Sequence, residues 1–371
     1  MRASEFLKED LAPAATKKVG RDFNHLEDWV FAEPGGYKRA IKVLRDVTKS
    51  SKDVSHKWDG APTVFWGREP NGQFRFVGNN NWGKPEGQSN SPEELKQFIL
   101  SRGKGEDWRP AFADSMAALW PIFEAATPRD FRGYVYGDML FHPGKPYQGL
   151  DGKLIFTPNE TTYNVAVSSP TGQRMVGKKA AVAGHFILEN FGDAKTSGQP
   201  FTEEKQFNSN KQLAVFSQNY VSHQPTINKT VIDEIETLGS RQGKAIDDML
   251  APQPQFGYFR NSVYSFVNAQ SQANQLDQIN SDAFFAWLQK DAAKLKKIHA
   301  RSQQFEGVLD SMFDLVRAVM TAKNSIIDQL DSAEGDITAT TKGQPGGEGY
   351  MKVSDQTKLV PRHRWKPFRA D

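Results

Sequence analysis

The stretch His56-Lys57-Trp58-Asp59-Gly60-Ala61-Pro62-Thr63-Val64-Phe65-Trp66 joins a polar run to a β-branched and aromatic one, with a lysine just ahead of an Asp-Gly pair. Asp-Gly is a favoured hairpin turn, and the run beyond it has strand character. A strand is therefore expected over 62–67, with Lys57 at its mouth. Upstream, Phe23–Phe31 and Tyr37–Leu44 space their apolar residues at helical intervals around the break Pro34-Gly35-Gly36, which predicts two short helices. The polar, Ala/Pro-broken residues 1–20 read as a loose arm.

Downstream, short β-type runs recur at 74–78, 133–141, 154–157, 163–168 and 181–188, separated by Gly, Asn and Pro clusters. Helices are expected at 91–100 and 112–124. From 201 to 330 the period becomes helical, most plainly in Phe305, Val308, Leu309, Met312, Phe313, Val316, Val319 and Met320, a packing stripe on one helix face. Residues 331–347 read as an exposed linker, after which β character returns at 350–353 and 358–360. The pattern predicts an antiparallel α+β fold of four segments: an N-terminal arm with short helices (1–53), a β-rich core (54–200), a helical insertion (201–330), and a linker with returning strands that complete the core (331–371).

Composition narrows the chemistry. A chain of 371 residues has room for two domains and an ample core. With no cysteine, thiol catalysis, disulfides and thiolate zinc sites are excluded, so any metal must take oxygen or imidazole ligands. The seven histidines, at 25, 56, 142, 185, 223, 299 and 363, show no metal-ligand spacing. Lys plus Arg number 47 against 44 Asp plus Glu, so no overall polybasic character points to nucleic acid. From Glu348 to Asp371, however, six basic residues face three acidic ones, interleaved with His363, Trp365 and Phe368; this is either a solvated tail or a nucleic-acid contact. No apolar run approaches the roughly 18 to 20 residues that span a bilayer, and no signal-peptide core follows Met1, so a soluble cytoplasmic protein without a membrane partner is expected.

Lys57 is the residue with the clearest chemical promise. A lysine becomes a nucleophile only when its ammonium loses a proton, which desolvation or nearby positive charge favours; Trp58 is placed to dry its surroundings. If the target is a phosphate, charge must be neutralised on its oxygens. Asp138 and Glu348 supply carboxylates for a metal, and Lys84, Lys352, Lys358 and Arg362 supply positive charge. Each has a plainer reading as well: Lys57 as a strand-end lysine, Asp59-Gly60 as a turn, Asp138 as a turn cap, Lys84 as a solvated loop residue.

Taken in order, Lys57-Trp58-Asp59-Gly60, Gly133-Tyr134-Val135-Tyr136-Gly137-Asp138, Gly347-Glu348-Gly349-Tyr350-Met351-Lys352 and Lys358-Leu359-Val360-Pro361-Arg362 resemble the motifs of covalent nucleotidyltransferases. That superfamily comprises ATP-dependent DNA ligases, RNA ligases and mRNA-capping enzymes. The wider string, including Asn24–Asp28 and Pro158–Tyr163, also resembles a group of uncharacterised tailed-phage proteins.

The resemblance implies a ligase-type adenylation core and an ATP- and Mg²⁺-dependent polynucleotide ligase. Lys57 would form a lysyl-AMP intermediate with release of pyrophosphate; AMP would pass to a 5′-phosphate end, and a 3′-hydroxyl would displace it. Asp59, Gly60 and Lys84 would line the nucleotide site, and Phe156 or Tyr163 would stack on adenine. Asp138 and Glu348 would contact ribose or metal. Lys358 would neutralise the α-phosphate, with Lys352 and Arg362 beside it. RNA or DNA ends or nicks would be the partners.

The chain departs from the pattern in Pro62, in Asp138 where Glu is usual, in the tighter Glu348–Lys352 spacing, and in leaving no sequence for a C-terminal oligonucleotide-binding barrel. The alternative is a non-catalytic phage protein of ligase-like fold that binds nucleotide or nucleic acid. A further alternative is transfer of the nucleotide to protein or to a 5′-diphosphate RNA end.

Overall fold

A computed structural model of the chain describes residues 24–102, 107–202, 204–207, 210–217, 221, 223–251, 256–289, 298, 307–333, 336–355 and 357–364. The arm expected over 1–20 and the basic segment from 365 onward lie outside them, as does Phe305 of the apolar stripe. Two compact units are present, each assembled from separate pieces of chain. One combines Met1–Val54, Val221–Leu330 and Gly349–Asp371; the other combines Ser55–Tyr220 and Asp331–Glu348.

The first unit opens with β1 (Asn24–His25), a 3-10 turn, α1 (Trp29–Ala32) and α2 (Gly36–Lys49). The break between the helices needs its glycines: Gly35 has φ +77°, and a Cβ on Gly36 would lie 1.8 Å from the Trp29 carbonyl oxygen. Tyr37, Ala40, Ile41, Val43, Leu44 and Val47 then form the buried face of α2, and the chain leaves the unit within β2 (Val54–His56).

The second unit holds β3 (Thr63–Arg68), β4 (Phe74–Gly78), α3 (Pro92–Ser101), α4 (Arg109–Ala126), β5 (Gly133–Phe141), β6 (Gln148–Leu150), β7 (Lys153–Phe156) and β8 (Thr161–Ala166). It continues with α5 (Pro170–Met175), β9 (Ala180–Leu188), β10 (Gln199–Pro200), α6 (Glu204–Phe207) and β11 (Leu213–Phe216). Strands β10-β9-β5-β3-β4 form one antiparallel sheet, with β11 added parallel to β9.

Side chains alternate across this sheet. Val64, Trp66, Val135, Met139 and Val182 face the helices, where they pack with Leu95, Met116, Leu119 and Phe123. The other face carries, along β5, Tyr134 and Tyr136, then Asp138, then Leu140. Tyr134 and Tyr136 join an aromatic cluster with Phe65 and Trp82, whereas Leu140 joins Trp58, Leu154, Phe156, Tyr163 and Val165 in a second core. Asp138 therefore lies where two apolar clusters on one face meet.

The chain then returns to the first unit through α7 (Lys229–Leu250), α8 (Phe256–Gln272), α9 (Ser281–Leu288) and α10 (Val308–Ser332). The stripe Leu309, Met312, Phe313, Val316, Val319 and Met320 is buried there, as its spacing predicts. Next come β12 (Ile337–Thr341) and β13 (Gln344–Pro345) in the second unit, and finally β14 (Tyr350–Lys352) and β15 (Thr357–Leu359) in the first.

The segment expected to be an exposed linker thus contains strands, β12 pairing with β8 in a second sheet of order β13-β12-β8-β7-β6. Ile337-Thr338-Ala339-Thr340-Thr341 is β-branched in all but one position, so strand propensity prevails inside a glycine-flanked stretch. The segmentation differs in two further respects. Residues 201–220 belong to the β-rich unit, through α6 and β11. The last strands pair as β1-β15-β14-β2 in the first unit instead of extending the β-rich core.

The architecture is mixed α and antiparallel β as expected, and no closed barrel forms among the described residues. No described helix is long and apolar enough to cross a membrane.

Candidate functional site

Lys57 follows β2 directly, and the two residues after it are locked. The Trp58 ring lies 4.8 Å from that of Tyr163 and 6.2 Å from that of Phe156. The Asp59 carboxylate accepts hydrogen bonds from Asn159 Nδ2 (2.9 Å) and from the backbone N–H groups of Glu160 (3.1 Å) and Thr161 (3.0 Å). The Asp59 N–H donates to the Tyr163 hydroxyl at 2.7 Å. Asp59 thus pins the Lys57 loop to the β7–β8 turn.

Gly60 brings the same loop against β5: an added Cβ would stand 2.6 Å from Asp138 Cβ and 3.0 Å from the Met139 carbonyl oxygen. Ala61 N–H donates to that carbonyl at 2.9 Å and Met139 N–H donates to the Pro62 carbonyl at 3.0 Å, so strand pairing continues up to the loop. Gly60→Ala is accordingly expected to destabilise the protein by about 1–3 kcal/mol, because the obstructing atoms include backbone. Thermal unfolding checks it, and an unchanged midpoint would contradict the packing described.

Glu348 Oε1 contacts Lys57 Nζ, with side-chain exposures of 14% and 26%. Glu348 follows the β12–β13 hairpin, so the two ends of this ion pair come from segments far apart in sequence. The residue after it must be glycine: Gly349 has φ +133°, and a Cβ there would lie 2.6 Å from the Leu359 carbonyl oxygen. The Glu-Gly pair of the sequence thus combines a charged partner for Lys57 with a backbone turn closed to other residues.

Asp138 has both oxygens engaged. Thr63 Oγ1 donates to Oδ1 at 2.6 Å, and His185 Nε2 lies 2.8 Å from Oδ2. Burial by itself raises the Asp138 carboxyl, but the His185 and Thr63 hydrogen bonds and the nearby Lys57 charge outweigh it and hold the group below its ordinary value. Burial raises the Tyr136 phenol, and the charges of Asp138 and Glu348 add to this, so it stays protonated. Burial pushes His56 down to about 4, so it brings no positive charge to Lys57 at neutral pH.

An aromatic face adjoins these groups. Phe65 stacks on Trp82 with centroids 4.1 Å apart and on Tyr136 at 5.2 Å, and Lys195 Nζ stands 4.9 Å from the Tyr136 ring centre. The second unit therefore brings Lys57, Glu348, Asp138, His185, Thr63 and Tyr136 together: a lysine, two carboxylates, an imidazole and two hydroxyls.

Four of the anticipated residues lie in this assembly or anchor it: Lys57, Asp59, Asp138 and Glu348, with Gly60 allowing the close approach. Phe156 and Tyr163, anticipated as base-stacking residues, are 3% and 2% exposed and packed around Trp58. The aromatic side chains beside Asp138 are Tyr136 and its neighbours instead. Lys84 stands in the loop after β4, where its carbonyl accepts the Gly87 N–H at 2.8 Å.

Lys352, Lys358 and Arg362 belong to the first unit. Lys352 is buried and bonded to Asp53 and to Ser354 Oγ (2.8 Å). Arg362 is buried against Glu27, Asp28 and Asn268. Lys358 sits in β15 opposite Met351 and beside His25.

His185 has no motif to announce it. The signal available in the sequence was Gly184 inside a strand, a mark of irregular pairing; the ladder between β5 and β9 does slip beside it, between Tyr136 and Gly137.

The chain matches the model of a family of unknown function, DUF6267, over residues 21–81 and 122–366. It belongs to that family. The matched segments of DUF6267 contain Lys57, Asp59, Gly60, Asp138, His185 and Glu348, whereas Lys84 and α3 fall between them. No curated protein and no solved structure matches the chain.

Among the described residues no group of three or more His, Asp or Glu side chains is arranged to hold a metal. Mg²⁺ commonly binds through one or two carboxylates together with substrate phosphates; beside Lys57 the Glu348 carboxylate is of that type, while both Asp138 oxygens are engaged by Thr63 and His185.

Proposed function

We propose that the chain is a covalent nucleotidyltransferase of the polynucleotide-ligase type, with Lys57 as the residue that takes AMP from ATP. The observation that supports this most is the Lys57–Glu348 ion pair, in which the lysine of a Lys-x-Asp-Gly loop meets the acid of a Glu-Gly turn. Neither side chain is needed to fill a core. An ion pair held this close to Asp138, on a loop anchored by three hydrogen bonds to Asp59, is a preorganised arrangement.

In the first step the Lys57 ammonium gives up a proton to solvent, the free amine attacks the α-phosphorus of ATP, and the second proton on nitrogen is lost as the phosphoramidate forms. The nitrogen–phosphorus bond forms as the bond to the bridging oxygen breaks, and pyrophosphate leaves. Glu348 would hold Mg²⁺ with phosphate oxygens, and the ion would neutralise charge building on the leaving group. Tyr136, partly exposed and backed by the buried Phe65, offers an aromatic surface for the base. The AMP then passes to a 5′-phosphate end of RNA or DNA.

The test is incubation of the protein with Mg²⁺ and α-labelled ATP or GTP, followed by denaturation. Label that stays on the protein is the expected result. Nucleotide binding without retained label from either nucleotide would overturn the enzymatic reading and favour a non-catalytic binding protein.

A further inference from the structure

The Asp138–His185 pair is not accounted for by nucleotide transfer to Lys57. An ionised carboxylate can only accept hydrogen bonds, so the 2.8 Å contact requires the proton on His185 Nε2. In the neutral ring that leaves the lone pair on Nδ1. Among the described residues Nδ1 has no hydrogen-bond partner, and the side chain is 29% exposed. The ring is braced as well, lying 5.2 Å from Tyr136, while Thr63 holds the other Asp138 oxygen at 2.6 Å. This is an oriented imidazole with its basic nitrogen turned from its carboxylate, in the assembly that contains Lys57.

We propose that His185 is the general base for a hydroxyl acceptor, the 3′-hydroxyl that attacks an adenylylated 5′ end. The inference rests on the ligase-type reading above and specifies which step the imidazole serves. A 5′-phosphate attacking lysyl-AMP is already ionised and needs no base; a hydroxyl does. In the sealing step the hydroxyl oxygen forms a bond to the 5′-phosphorus, the bond from that phosphorus to the bridging oxygen breaks, and AMP departs. The proton passes to His185 Nδ1, and Asp138 stabilises the imidazolium that results.

The experiment compares wild type, His185→Ala and His185→Asn in two assays: self-labelling with α-labelled ATP, and sealing of nicked DNA and nicked RNA whose 5′ ends are already adenylylated. The expected result is that His185→Ala lowers sealing relative to labelling by about 10²–10⁴-fold, and that added imidazole restores part of the sealing. His185→Asn, which keeps a polar side chain in place, should fail at sealing likewise. Wild type that labels and seals, with variants that seal equally well or lose both activities in parallel, overturns the role of His185 alone. Wild type that neither labels nor seals overturns the ligase reading and this inference together.

Discussion

Lys323→Met is expected to lower stability by about 3–5 kcal/mol, the usual consequence of removing one member of a buried ionic cluster. Lys323 is fully buried; its Nζ donates to Glu27 Oε1 and to the Val360 carbonyl, each at 2.8 Å. Arg362 Nε donates to the same Glu27 oxygen at 2.5 Å, and its terminal nitrogens bind Asp28 and Asn268. Two acids and two bases therefore balance inside the helical unit.

Burial raises the Glu27 carboxyl, yet Lys323 and Arg362 more than offset that and hold it below its ordinary value. Without Lys323, Arg362 is, among the described residues, the one cation left to the two carboxylates in this cluster, and the Val360 carbonyl loses the Lys323 donor. A double variant, Glu27→Gln with Lys323→Met, should be less unstable than the two single effects added together. Urea unfolding of the four proteins measures this, and an unchanged midpoint for Lys323→Met would refute it. Because the folded Glu27 pKa is depressed, its contribution is present above the unfolded value of about 4 and is lost as the pH falls below it.

Lys57→Arg should retain the fold and the contact with Glu348 yet reduce covalent nucleotide labelling to background. A guanidinium stays protonated throughout the accessible pH range and offers no lone pair, whereas it can still pair with a carboxylate. Lys57→Ala should lose labelling as completely, but also leaves Glu348 without the lysine. Comparing the two separates chemistry from assembly: equal unfolding midpoints for Lys57→Arg and wild type, with label only on wild type, are the expected result. Label persisting on Lys57→Arg would place the nucleophile elsewhere.

Much of the local structure was legible in the residues. The β5 run Gly133–Phe141 and the β4 run Phe74–Gly78 coincide with their strands because dense apolar and aromatic residues lie between glycine boundaries. Helix α10 was legible because its apolar residues recur at helical spacing. Ile337–Thr341 is β-branched in all but one position, but the surrounding Gly-rich, polar stretch reads as linker, and pairing with β8 makes it a strand. Phe156 and Tyr163, expected from the resemblance to stack on adenine, are buried around Trp58, because sequence does not say which face of a strand meets another sheet. Their burial follows from the packing of the second sheet beneath Leu140.

The site divides in the same way. Lys57, Asp59-Gly60, Asp138 and Glu348-Gly349 were legible as residue types in order, and the glycines could be understood as backbone requirements. Tertiary structure alone decided that Lys57 pairs with Glu348, that Asp59 serves as an anchor, and that Asp138 binds His185 and Thr63. It also decided that Lys352 and Arg362 are held in buried ion pairs of another unit. The physical reason is range. Turn and strand preferences arise from a residue and its immediate neighbours, whereas an ion pair or a carboxylate–imidazole contact depends on distances of a few ångströms between strands whose register is set by the whole sheet.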